Sequence, residues 1–134
     1  TDATVMVVAD HGHIDSTPIF LTDYPEILNT LRLDISIESR ACAFFVKENK
    51  KEEFKKIFDE KFAKDFILYT KDEVINKQIF GEGKENKYLK GAIGDFVALA
   101  ISNKYFRSNK NCKKFVSQHA GITKEELFVP LIII

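Results

Sequence analysis

The residues best suited to chemistry stand near the two ends of the chain. Asp10 and His11 are adjacent, Gly12, His13 and Asp15 follow, and His119 lies in Ser117-Gln118-His119-Ala120-Gly121. A carboxylate beside an imidazole is a hard-to-borderline donor pair that suits Zn²⁺, Mn²⁺ or Fe²⁺. Gly12 then has a mechanical reading, a sharp backbone turn after two inward-pointing ligands. The same tripeptide also composes a plain turn, with Asp10 as an Asx acceptor and Gly12 supplying positive φ. His13 is either a donor behind the ligands or an exposed loop histidine. Asp15 either orients a ligand or is a solvated loop acid.

Strands must hold these residues in place. Asp10 follows the apolar run Thr4-Val5-Met6-Val7-Val8-Ala9, and His119 precedes a second such run, Phe128 to Ile134. Short β-branched runs without alternation fit strands covered on both faces, as in a parallel α/β sheet. Open sheets of that kind place ligands beyond strand C-termini, where Asp10 and His11 stand. Few covering helices are evident between the two runs, so the chain reads as a piece cut from a larger sheet. Apolar strands left without neighbours template association, and self-association is expected.

The middle of the chain has a different rhythm. Arg40 to Lys47 predicts a strand, and Lys50 to Ala63 a helix whose apolar stripe is Phe54, Ile57, Phe58 and Phe62. Phe66 to Tyr69 predicts a strand, and Thr70-Lys71-Asp72-Glu73 a capping box that opens a helix. The span from Gly81 to Gly94 reads as a loop, and Asp95 to Ile101 as another strand. Tyr24 to Leu33 has helical spacing, with Pro25 near its start. Ser102 to Lys114 reads as a basic surface excursion, and Thr123-Lys124-Glu125-Glu126 as a second capping box. Residues 40–101 thus form a strand-helix-strand-helix-strand unit set between two pieces of another sheet.

Composition narrows the function classes. The 134 residues carry 20 Lys+Arg against 20 Asp+Glu, a formal net charge of zero, which lacks the electrostatic footprint of a nucleic-acid binder. No apolar run approaches the roughly 20 residues of a membrane-spanning helix, so no membrane partner is expected. Cys42 and Cys112 are not in a CxxC pair; two free thiols point to the cytoplasm. Lys104, Arg107 and Lys110 to Lys114 are placed to attract a phosphate, though a solvated lysine face has the same composition. The 12 Phe and 4 Tyr recur at core spacing.

Taken together, Val5-Met6-Val7-Val8-Ala9-Asp10-His11-Gly12 and Gln118-His119-Ala120-Gly121 with the later Val129-Pro130 resemble the alkaline-phosphatase superfamily. The match is to its type I phosphodiesterase/nucleotide pyrophosphatase branch. Arg40-Ala41, Ile79-Phe80-Gly81 with Gly83, and Ile93-Gly94-Asp95-Phe96 extend the resemblance over nearly the whole chain. It implies an α/β fold in which the first and last strands belong to an alkaline-phosphatase-like sheet, with residues 1–39 and 102–134 a partial metallophosphohydrolase core. Residues 40–101 would be an inserted α+β subdomain of ferredoxin-like shape.

The resemblance also implies two divalent metal ions, Zn²⁺ or Mn²⁺, and a phosphate-ester or nucleotide substrate. Asp10 and His11 would bind one ion and His119 the other, while His13 stands where a hydrophobic residue is common. The nucleophile would lie ahead of Thr1, so the chain alone would be the inactive C-terminal portion of the enzyme. Two alternatives differ in class. In one, residues 40–101 are a ferredoxin-like interaction module without catalysis; in the other, the chain is a piece of a related superfamily mutase.

Overall fold

The computed structural model describes residues 2–84 and 86–134; Thr1 and Glu85 lie outside the described residues. The first third of the chain holds β1 (Met6–Val8), β2 (Ile14–Asp15), β3 (Thr17–Phe20), α1 (Pro25–Leu28) and β4 (Ser36–Ile37). The middle holds β5 (Ala41–Phe44), α2 (Lys51–Phe62), β6 (Phe66–Thr70), α3 (Lys71–Asn76), α4 (Leu89–Ala92) and β7 (Phe96–Ala100). The last third holds β8 (Lys104–Arg107), β9 (Ser117–Gln118), α5 (Lys124–Leu127) and β10 (Leu131–Ile133). No helix is long and apolar enough to cross a membrane among the described residues.

The largest sheet has the order β4-β5-β7-β6, antiparallel at every pair. Strand β7 is inserted between β5 and β6, which are joined through α2, so the three strands and that helix make a split β-α-β. Every residue of β7 is buried, and successive side chains divide between two cores as the period of two demands. Phe96, Ala98 and Ala100 face the larger core with Cys42 and Phe44, whereas Val97 and Leu99 face a smaller one with Ala41, Val74 and Ile93. The edge strand β4 comes from residues 36–37, ahead of the division placed at residue 40.

Helix α2 supplies the larger core. Phe54, Phe58 and Phe62 recur every four residues and are buried, with Ile57 packed beside them. Phe58 is the hub: its ring lies 5.3–6.4 Å from those of Phe44, Phe54, Phe62, Phe66 and Phe106. These separations fall in the range of attractive edge and tilted aromatic pairs. At the start of α3, Thr70 Oγ1 accepts the Glu73 N–H at 3.2 Å and Glu73 Oε2 accepts the Thr70 N–H at 2.9 Å. That capping box is the one expected from the sequence.

Four expectations are corrected. Residues 104–107 are not a surface excursion: β8 pairs in parallel with β3, and its central Tyr105 and Phe106 are fully buried. The flanking Lys104 and Arg107 gave the segment its surface character. The helix expected over residues 24–33 is only the single turn α1. There the Thr30 hydroxyl donates to the Ile27 carbonyl and Leu31 bridges to Val46, which draws the chain out of the helix. The span 81–94 contains the short helix α4. Finally, β1 and β10 are not parallel neighbours. They pair with each other, antiparallel, with Met6 opposite Ile133 and Val8 opposite Leu131, and their apolar side chains are exposed on both faces. β-Branched runs set the strands, and their exposure within this chain matches the reading of a piece of a larger sheet, with strands left without neighbours.

Phe58→Ala should destabilise the fold by about 3–5 kcal/mol, since it opens a void among five rings. Ile67→Ala, on the exposed side of β6, should cost less than about 1 kcal/mol. Urea denaturation followed by far-ultraviolet circular dichroism measures both.

Candidate metal centre

A two-residue ladder brings the ends of the chain together. Strands β2 and β9 pair antiparallel, Ile14 opposite Gln118 and Asp15 opposite Ser117. One step further, the same register sets His13 opposite His119, and their ring centroids lie 5.2 Å apart. The His11 ring stacks on His119 at 3.9 Å, with planes 7° apart, and lies 5.1 Å from His13. One ring nitrogen from each of the three histidines lies within 4.8 Å of the others. His11 and His119 are half-buried and His13 is exposed.

Local contacts hold each member. Gly12 donates its N–H to the Glu126 carbonyl at 2.9 Å, seating the loop on the backbone of α5. A Cβ at Gly12 would lie 1.8 Å from the Glu125 carbonyl oxygen. The glycine therefore serves close approach to α5, and its φ is not the positive one of the plain-turn reading. On the other side, Ala120 and Ile122 pack on the smaller core, and the Ile122 N–H donates to the Ala100 carbonyl at 2.9 Å. Directly after His119, Ala120 takes φ 74°, a left-handed conformation costing an alanine about 1–2 kcal/mol. That twist turns the chain from β9 back to the core.

A buried ion pair sets the position of α5. Arg40 and Glu126 have side chains 0 % and 1 % exposed, and the guanidinium grips the carboxylate with two bonds of 2.6 and 2.7 Å. It donates further to the carbonyls of Lys104 at 2.7 Å and Ser102 at 2.9 Å. Glu126 accepts in addition from the Gly121 N–H at 2.8 Å and the Thr123 hydroxyl at 2.7 Å. A Cβ at Gly121 would run into both partners of the pair. Burial alone would raise the Glu126 pKa, but the bonds from Arg40, Thr123 and Gly121 outweigh it and hold the carboxyl below its usual range.

The sequence-derived candidates fall as follows. His11 and His119 converge. Asp10 stays beside His11, its Oδ1 accepting the His11 N–H at 3.1 Å and its Oδ2 3.7 Å from His11 Nε2, but its carboxylate is 90 % exposed. His13, read as a second-line or loop residue, stands in the cluster itself. Asp15 lies opposite Ser117, exposed and outside the three rings. Nothing in the local sequence marks the pairing of Ile14-Asp15 with Ser117-Gln118, so His13 was legible only as one more histidine in a loop.

His13 and His119 border an open cavity of about 380 Å³ that Glu38, Ser39, Arg107 and Gln118 also line. Arg107 Nε is buried without a hydrogen-bond partner, and the guanidinium lies over the rings of Phe115 and Tyr105, 5.1 and 5.7 Å from their centroids. Those faces position it without neutralising its charge. The neighbouring lysines have other occupations: Lys110 pairs with Asp23, and Lys113 and Lys114 lie over Phe115 and Phe20. Asp95 is far from this chemistry. Burial would raise its pKa, but the Val46 N–H, Lys51 and Arg32 lower it, and it ties β7 to the start of α2. Burial pushes the Cys42 thiol far up, which leaves it inert.

Three imidazoles with a carboxylate alongside are a donor set for a borderline divalent ion. No family model and no curated protein matches the sequence. Solved structures do match the fold. Human ectonucleotide pyrophosphatase/phosphodiesterase 5 aligns over 97% of this chain and 33% of its own, at 18% identity and a TM-score of 0.66. The murine protein, in an inactive form in complex with AMP, aligns over 97% and 32%, at 20% identity and a TM-score of 0.60. Phosphonoacetate hydrolase from Sinorhizobium meliloti 1021, in complex with phosphonoacetate, aligns over 98% and 36%, at 15% identity and a TM-score of 0.67. The chain spans about a third of the length of these proteins. Identities this low carry the fold and no more.

Glu126→Gln should cost about 3–5 kcal/mol, because it leaves the buried Arg40 unpaired. The pH profile follows from the lowered Glu126 pKa. The stabilisation is complete above the unfolded-state value of about 4.3 and is lost as pH falls through the lower folded-state value. Guanidinium denaturation between pH 3 and pH 7 should therefore show a steeper acid loss for the parent chain than for Glu126→Gln.

Proposed function

We propose, from a chain that folds as part of an alkaline-phosphatase-superfamily enzyme of the nucleotide pyrophosphatase/phosphodiesterase kind, that it contributes one wall of a two-metal phosphohydrolase centre. The convergence of His11 and His119, from opposite ends of the sequence, carries the reading. Asp10 and His11 would hold one divalent ion and His119 the other, Zn²⁺ or Mn²⁺. Two such ions stabilise the attacking and leaving oxygens of an in-line displacement at phosphorus. The nucleophile and further ligands would lie outside this chain, so the chain alone turns nothing over.

This chain's own residues do three things in that scheme. The Gly12 contact with α5 fixes the loop carrying Asp10 and His11. The Nδ1–H of His11 donates to the Gly12 carbonyl at 2.9 Å, leaving Nε2 as the free lone pair. Arg107, which lines the adjoining cavity, would offer its guanidinium to an anionic substrate group such as a phosphate. The AMP and phosphonoacetate bound by the two relatives support an anionic phosphorus substrate. The split β-α-β supports reading residues 40–101 as an inserted ferredoxin-like subdomain between the core pieces 1–39 and 102–134. Free thiols at Cys42 and Cys112 support a cytoplasmic setting.

The test is hydrolysis of bis(p-nitrophenyl) phosphate, with Zn²⁺ or Mn²⁺ supplied, by the protein that bears this segment. His11→Ala and His119→Ala should each lower kcat/KM by about 100-fold or more, and Arg107→Ala should raise KM more than it lowers kcat. Full activity in either histidine variant sinks the metal assignment. An unaltered KM in Arg107→Ala removes the anion role.

A further inference from the structure

His13 has no place in the ligand set that the resemblance implies, yet its ring stands with those of His11 and His119. We infer that His13 is a substrate-contacting residue: its Nε2–H donates to a phosphoryl oxygen at the rim of the centre, and it binds no metal. The inference rests on the proposed function and gives a role to a residue which that reading leaves without one.

Position gives the first support. The β2–β9 register sets His13 across from His119, so backbone hydrogen bonds fix where it stands. Its ring centroid lies 5.1 Å from that of His11 and 5.2 Å from that of His119. Those two rings stack on each other, whereas His13 is tilted by 51° and 55° to them and stands outside the stack. A gap of this size beside the two ligand rings admits a small polar group, held at the roughly 2.7–3.2 Å of an N–H···O bond.

Exposure gives the second. His11 and His119 are half-buried, as ligands set into a wall are, and His13 is open to solvent. His13, His119 and Arg107 line the same open cavity. An anionic group lodged there would find a cation in Arg107 and, next to the ligand His119, a neutral donor in His13.

The tautomers give the third. The His11 Nδ1–H is committed to the Gly12 carbonyl, so its Nε2 is bare, the form that a metal takes. His13 is set the other way. Ser117 Oγ lies 3.4 Å from His13 Nδ1, and that hydroxyl has no other acceptor among the described residues. With the hydroxyl donating to Nδ1, the imidazole proton sits on Nε2. One ring thus presents a lone pair and the other an N–H. A fixed N–H aimed where charge develops on phosphoryl oxygens stabilises the transition state with no proton transfer.

The test uses the protein that bears this segment, loaded with Zn²⁺ or Mn²⁺ and assayed on bis(p-nitrophenyl) phosphate. His13→Met should lower kcat by about tenfold or more while KM changes by less than about threefold. His13→Gln, which keeps an N–H donor, should return kcat to within about threefold of the unsubstituted protein. Bound metal, measured by atomic absorption, should be the same in both variants as in the unsubstituted protein. Calorimetric affinity for orthovanadate should fall by about tenfold in His13→Met. Circular dichroism melts confirm that both variants are folded. An unchanged kcat or vanadate affinity in His13→Met overturns the inference, as does a His13→Gln protein no better than His13→Met. Loss of bound metal in either variant makes His13 a ligand and overturns it too. An unsubstituted protein without activity, or a fully active His119→Ala, sinks the proposed function and this inference with it. Activity that needs His119 and ignores His13 sinks this inference alone.

Discussion

The bond between Arg40 and Glu126 is the constraint on which the rest of the site depends. Arg40 opens the central strand β5, and Glu126 sits in a one-turn helix that has almost no packing of its own. Taking both charges out of water is costly, and such a pair holds only when nearly all of its lone pairs and protons are satisfied. Here four of the five guanidinium protons are placed: besides Glu126, the guanidinium ties down the carbonyls of Ser102 and Lys104, ahead of and within β8, and the carboxylate gathers Gly121 and Thr123. The pair thus joins the four-stranded sheet, the β3–β8 pair and the segment after His119 at one buried point. Through the backbone of α5 it reaches Gly12 as well. Both arms of the histidine cluster are braced against the same two side chains.

That arrangement explains why so short an element as α5 stays in place. Four residues cannot sustain a helix on propensity. Its order comes from the Glu126 side chain reaching back to the Thr123 hydroxyl and outward to Arg40, so one residue is both helix cap and salt-bridge partner. The glycines at 12 and 121 complete the fit, each leaving room where a methyl group would strike the pair or the helix backbone. The placement of the imidazoles here follows from where a buried charge can be satisfied, with the rings carried along by the backbone.

Much of the fold was legible because local and tertiary preferences agree. The Phe54–Phe58–Phe62 stripe, the Thr70–Glu73 box and the apolar alternation of residues 96–100 each point to the element that forms. Legibility failed where a partner decides. Lys104 and Arg107 disguised the buried Tyr105 and Phe106, whose strand character comes from β3. The apolar runs at residues 4–9 and 128–134 announced strands, but not that they pair with each other, antiparallel. In the site, Asp10, His11 and His119 stood out by type and motif. His13 did not, because the ladder that sets it opposite His119 is two residues long and carries no apolar signature. The Arg40–Glu126 pair was equally hidden: the box at Thr123 was evident, but nothing near residue 40 announces its partner 86 positions away.

Gly12 gives this architecture a lever. Its N–H rests on the carbonyl of Glu126, the same residue whose carboxylate anchors Arg40. A ligand that fixes His11 therefore presses on the rear of α5, and anything that loosens α5 slackens the grip of His11. Any ligand held by the imidazoles would thereby be linked to the folding of the chain's closing segment. The closeness of the three imidazoles is thus a gauge of whether the last third of the chain is in place.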